Sequence, residues 1–161
     1  MVAIIDRTEN LLIPQTPWPL VQPIPICVPI PTRRPPIIKI SVLLFIKYGT
    51  SEVVEELVSV VTKYDLVAVQ EVKDIDQTVP YEFLEEINNF TGGLWNMSLS
   101  QRSGLQEDDK SSQEQYIFYY NTTVFSEIGQ GELYNDSEHD YFQREPYRAS
   151  FDLLNESGKG P

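Results

Sequence analysis

The sequence predicts an α/β domain preceded by a proline-rich leader. Three observations predict it. Residues 37–46 and 66–69 are β-branched, apolar runs, and the segment between them repeats its apolar residues at helical spacing. Residues 115–120, Gln-Tyr-Ile-Phe-Tyr-Tyr, form a further strand-like run rich in aromatics. Most of the chain's twelve prolines fall before residue 37.

Taken in order, residues 1–36 read as an extended or disordered leader. Proline at this density removes backbone donors and blocks helix and sheet interiors alike. A polyproline ligand is the functional alternative, but the prolines alternate with Ile24, Ile26 and Ile30 rather than following a P-x-x-P pattern. The domain proper spans residues 37–161. Its first strand, 37–46, is apolar enough to be buried on both faces. Gly49 breaks it, Thr50 or Ser51 caps a helix, and Glu52 suits the positive helix start. Val53, Val54, Leu57, Val58 and Val61 give that helix one apolar face. A short strand at 66–69 follows. Strand, helix, strand at this spacing predicts a right-handed βαβ unit with parallel strands.

A second helix has Pro80 in its first turn and ends at Gly92-Gly93. Residues 95–100, 115–120 and 147–153 are predicted strands. The segments 104–112 and 129–140 are polar and read as surface loops.

Composition bounds the function. One domain with a real core fits 161 residues of 41% apolar content. A formal net charge of −12 argues against a general nucleic-acid coat or a basic membrane-binding patch. It leaves room for a hydrolase that meets phosphate through a few local cations and a metal. Cys27 is the single cysteine, so no intrachain disulfide forms. No apolar run is long enough for a membrane helix, and the first residues do not resemble a signal peptide. Against this, five of the seven asparagines (Asn89, Asn96, Asn121, Asn135 and Asn155) sit in N-x-S/T tripeptides, which tilts the reading toward secretory ancestry.

Chemistry in open α/β sheets gathers beyond the carboxyl ends of parallel strands. Glu71 lies there, where a carboxylate suits a hard divalent cation. A solvated strand-end glutamate is the alternative reading. The string YDLVAVQEVKD, residues 64–74, resembles the deoxyribonuclease I family of the endonuclease/exonuclease/phosphatase superfamily. Three further blocks resemble it in the same order: SQRSG at 100–104, SSQEQYIFYYN at 111–121 and FQREPYRASF at 142–151.

The resemblance implies half of a two-sheet α/β sandwich, a mixed sheet with helices on one face, and a divalent-metal endonuclease acting on DNA phosphodiesters. It implies Mg2+ as cofactor, with Ca2+ or Mn2+ as alternatives, DNA as partner, actin by family analogy, and an extracellular or secretory location. Residue by residue, it makes Glu71 a metal ligand and Glu114 the glutamate that orients a catalytic histidine. Lys73 and Arg102 fall on minor-groove positions and Arg144 on a phosphate contact. Lysine at 73 keeps the charge of the family's arginine but loses its planar fork. The plainer readings are a surface arginine at 102 and local pairing for Arg144.

The chain departs from the family pattern in two ways. Leu44 stands where the family has an asparagine that serves the metal and phosphate. The GDFN and SDH strings and a histidine-bearing block are absent from these residues. The one histidine, His139, lies in an acidic segment and reads as a solvated loop residue. The expectation is an incomplete chain, the N-terminal half only, without activity of its own; a non-catalytic binding remnant on the same scaffold is the alternative. Half a sandwich is further expected to expose the inner face of its sheet, favouring marginal stability, aggregation or association.

Overall fold

A computed structural model describes residues 36–40, 51–104, 112–139 and 141–154. The leader up to residue 35, the end of the first strand with Leu44, the capping position at Thr50, the acidic stretch 105–111 and Asn155 lie outside the described residues.

Six strands and two helices are described: β1 (Ile38–Ile40), α1 (Ser51–Val61), β2 (Leu66–Val72), α2 (Val79–Thr91), β3 (Trp95–Leu99), β4 (Gln115–Asn121), β5 (Phe125–Leu133) and β6 (Tyr147–Leu153). A four-stranded sheet has the order β1-β2-β4-β3, and β5 pairs with β6 in a separate two-stranded sheet. β1 and β2 are parallel, as the βαβ spacing predicts, while β2–β4 and β3–β4 are antiparallel. The sheet is therefore mixed, and the domain is α/β.

Alternation along β2 and β4 sorts side chains onto two faces. Val67, Val69, Ile117 and Tyr119 pack with Val58 and Val61 of α1 and with Phe83 and Ile87 of α2. Both helices thus cover one face. α2 is fixed at both ends: Asp74 Oδ2 accepts a hydrogen bond from Val79 N at 2.8 Å, and Gly92, at φ 78, closes it. A left-handed residue at that position suits glycine, which has no Cβ to clash.

The opposite face is Leu66, Ala68, Tyr116, Phe118 and Tyr120. The expectation of an open inner face is corrected here: Leu66, Ala68, Phe118 and Tyr120 are each 5% exposed or less. They are covered by Phe125, Tyr147, Ala149 and Phe151 of the β5–β6 pair. Phe151 meets the rings of Phe118, Tyr120 and Phe125 at centroid distances of 5.8, 5.1 and 6.3 Å. The loop expected at 129–140 is also corrected, because its first residues belong to β5. That strand escapes a period-two reading because Gly129 and Gly131 interrupt it and its pairing with β6 slips between Ile128 and Glu132.

The two sheets are also joined by polar contacts. The Ser98 hydroxyl on β3 lies 2.7 Å from Tyr147 Oη and donates to Glu127 Oε1 at 2.5 Å. Gly131 makes room for this join, since a Cβ there would fall 2.1 Å from Tyr147 Oη. Gly131→Ala is expected to push the ring out of its seat and cost about 1–3 kcal/mol; the denaturant midpoint reads this, and an unchanged midpoint refutes it.

Burial pushes the phenols of Tyr116, Tyr120 and Tyr147 above their usual pKa of 10.0. Below pH 10 the folded and unfolded chains both keep them neutral, so stability is intact. As pH rises from there the unfolded chain ionises first, and stability falls until the folded pKa values are passed. These three are expected to ionise together with unfolding in a tyrosinate absorbance titration followed alongside circular dichroism.

Candidate functional site

The end of β2 does not pair regularly. Val69 stands opposite Ile117 and Val72 opposite Gln115, so β2 takes three steps where β4 takes two. The extra residue is a β-bulge, a device that ends or redirects pairing near functional sites. Glu71 lies within it in the left-handed region, at φ 57. A non-glycine residue there is uncommon and strained by about 1–3 kcal/mol. The bulge also returns Val72 to the helix-facing core with Val67 and Val69. Glu71 itself is half-buried.

Glu114 precedes β4 and is 5% exposed. Its backbone is fixed by reciprocal hydrogen bonds with Ser103, 3.0 Å from Glu114 N to Ser103 O and 2.9 Å from Ser103 N to Glu114 O. Two cations reach its carboxylate. Lys73 Nζ, just past β2, lies 3.2 Å from Oε1, and Arg144 Nε, just before β6, lies 2.9 Å from Oε2. The arginine contact is an ion pair without the alignment of a hydrogen bond. Both cations remain about a third exposed, while the glutamate side chain is nearly sealed from water.

Residues that sequence reasoning did not single out surround this trio. The Ser103 hydroxyl donates to Glu145 Oε2 at 2.6 Å and is hydrogen-bonded to Tyr116. Burial raises the Tyr116 pKa, the charge of Glu114 adds to the rise, and Arg144 opposes it. Ser103 and Glu145 lie inside the SQRSG and REP blocks, next to residues that were named, so proximity in sequence was the available signal.

The structure brings together three of the five sequence-predicted site residues: Lys73, Glu114 and Arg144. Arg102 is tied to the neighbouring β2–α2 loop, where its Nη2 donates to the Asp74 carbonyl. Glu71 sits in the bulge two residues before Lys73. His139, the chain's histidine, is exposed with its ring 5.0 Å from that of Tyr141.

No protein-family model matches the chain. Over 111 residues it is 30% identical to Deoxyribonuclease-1-like 1 of Homo sapiens, a stretch covering 69% of this chain and 35% of that protein. The chain is similar to a deoxyribonuclease I-like protein. It spans about a third of the length of that relative.

The donor chemistry for a divalent cation is partial. Among the described residues no group of three His, Cys, Asp or Glu side chains gathers to hold a metal. Magnesium is commonly held by only one or two carboxylates, with phosphate oxygens and waters completing six oxygens. Glu71 is a single half-buried carboxylate at the strand end. Glu114 does not fit as such a ligand, because each of its oxygens already faces a cation.

The strain at residue 71 is testable. Glu71→Gly is expected to raise stability by about 1 kcal/mol by relieving the left-handed backbone, and Glu71→Val to lower it. A chemical denaturation series that ranks valine above glycine overturns the bulge geometry.

Proposed function

We propose that the chain is the N-terminal half of a deoxyribonuclease I-like nuclease, a leader at 1–36 followed by a domain at 37–161, whose described surface engages DNA phosphodiesters. The observation that carries this reading is the meeting of Lys73, Glu114 and Arg144. They come from three separate sequence blocks, and the fold sets them beside the strand end that bears Glu71. The similarity to Deoxyribonuclease-1-like 1 supports the same reading.

In this reading Arg144 and Lys73 face backbone phosphates, where an arginine fork pairs well with two oxygens. Arg102 stands on the adjoining loop, toward the groove. Glu71 would hold a divalent cation, Mg2+ first. Such an ion polarises a phosphoryl oxygen and lowers the pKa of bound water. Phosphodiester hydrolysis also needs a group that hands a proton to the leaving oxygen. The only histidine in these 161 residues is the exposed His139. Phosphate engagement rather than cleavage is the function assigned to these residues, because Glu114 faces two cations, and a secretory location accompanies it. Among the described residues no helix is long and apolar enough to cross a membrane.

A specific observation favours binding over proton transfer. Glu114, which the resemblance would pair with a histidine, is instead matched by two fixed cations.

Two measurements test the reading. The chain is expected to bind duplex DNA at low salt and to release it as salt rises; no binding at low salt refutes DNA engagement. Supercoiled plasmid is expected to remain closed in Mg2+ or Mn2+. Nicking that is abolished both by a chelator and by Glu71→Ala would overturn the assignment of a non-cleaving chain.

A further inference from the structure

The geometry points to Glu114 as a positioning residue that holds Lys73 and Arg144 side by side as one clamp for a single phosphate group. This rests on the proposed engagement of phosphodiesters and goes beyond it, because it assigns the buried carboxylate a task other than handling a proton.

Three features carry the inference. The first is stoichiometry: one oxygen of Glu114 faces each cation, Oε1 toward Lys73 Nζ at 3.2 Å and Oε2 toward Arg144 Nε at 2.9 Å. Two like charges placed together at a surface repel each other. A carboxylate between them removes that repulsion and sets their spacing. The second is access. The lysine side chain is 39% exposed and the arginine 33%, against 6% for the glutamate. An anion arriving from water meets the two cations and not the carboxylate beneath them. The trio carries a net charge of +1 in a chain whose total is −12, and the adjacent Glu145 carboxylate is engaged by the Ser103 hydroxyl.

The third feature is rigidity. Glu114 is locked to Ser103 by its backbone, and Ser103 is locked by its hydroxyl to Glu145, the neighbour of Arg144. Lys73 follows Val72, whose side chain is in the helix-facing core. Each partner is thus tied down at its own residue or at an adjacent one. Lysine brings three N–H donors and arginine five. The guanidinium meets Glu114 through Nε. The chemical class that fits two adjacent cations of this kind is a tetrahedral oxyanion, a phosphodiester or a free phosphate.

The test separates positioning from bulk charge by sign. Using the full 161-residue chain, affinity for a short DNA duplex is measured by fluorescence anisotropy across a salt series. Glu114→Gln removes a negative charge, so a bulk-charge role predicts tighter binding. Positioning predicts binding weaker by about five- to tenfold, with a shallower salt dependence. Glu114→Asp, which keeps the charge on a shorter arm, is expected to fall between glutamine and the parent. Tighter binding by the glutamine variant overturns the inference.

Should Glu114→Gln fail to fold, two variants at exposed side chains carry the same question. Lys73→Gln and Arg144→Gln are each expected to lower the salt slope by about one. Combined, they should cost less than the product of the single losses, since either alone breaks the clamp. Fully multiplicative losses overturn it. Inorganic phosphate, titrated against the Arg144 Nε–H signal by NMR, keeps the inference distinct from the DNA reading. A saturable shift with no DNA binding upholds the clamp and rejects the DNA assignment; no shift in the parent chain overturns the clamp.

Discussion

The pairing of β2 with β4 is the constraint on which the rest of the molecule depends. Both strands are buried on two faces, so every residue along them is committed to one core or the other. Period-two alternation makes that commitment strict, and a slip of one residue would exchange the two cores wholesale. The aromatic run of β4 shows the consequence. Tyr119 lies between the helices, with its ring edge-on to Phe83 at 5.5 Å, while its neighbours Phe118 and Tyr120 face the β5–β6 pair. Six consecutive buried residues leave no place in the middle of this sheet for a solvated charge.

Charged side chains are therefore confined to the end of the pairing, and the bulge there is what admits them. Regular pairing through Val72 would turn this valine away from the helices and force the glutamates to share the alternation of the core. One extra residue lets Val72 rejoin the apolar face while Glu71 takes the strained position. The same end of the sheet receives the 100–104 segment through Ser103 and the stretch before β6 through Arg144. Asp74 joins these parts: its side chain caps α2 and its carbonyl accepts from Arg102. The site is thus built from loops whose ends are fixed by helix and strand, the arrangement by which scaffolds hold polar groups to a set geometry.

Much of this was legible in the sequence, and the rest failed for physical reasons. The βαβ unit, the proline start and glycine end of α2, and the apolar strands β2, β4 and β6 follow from periodicity and from two residues with restricted or permissive backbones. β5 was not legible because Gly129, Gly131 and the charges of Glu127 and Glu132 mask a strand buried on only one side, and its register slips midway. The cover it gives the inner sheet face was missed for the same reason. At the site, Lys73, Glu114 and Arg144 were each singled out by resemblance, but as separate roles. Their mutual contact depends on β2, β4 and β6 converging at one corner, which no local pattern encodes. The left-handed Glu71 was hidden too, since bulges follow from pairing between strands and not from one strand's residues.

Two glutamates at this corner now stand in opposite environments, and the contrast decides what each can do. Glu114 is sealed from water and neutralised by two cations. Removing one partner of such a group would leave a buried charge uncompensated, which is costly, so its orientation is fixed by the structure around it. A carboxylate held in that way is poorly suited to take a metal ion, whose charge would compete with those of Lys73 and Arg144. Glu71 is half-buried, and the pairing on either side of the bulge holds its backbone in the left-handed region. Strain kept at one residue of an otherwise regular strand indicates that the surrounding pairing over-determines it. Of the two, Glu114 has each carboxylate oxygen committed to a cation of the protein itself, and Glu71 stands in the strained bulge at the strand end.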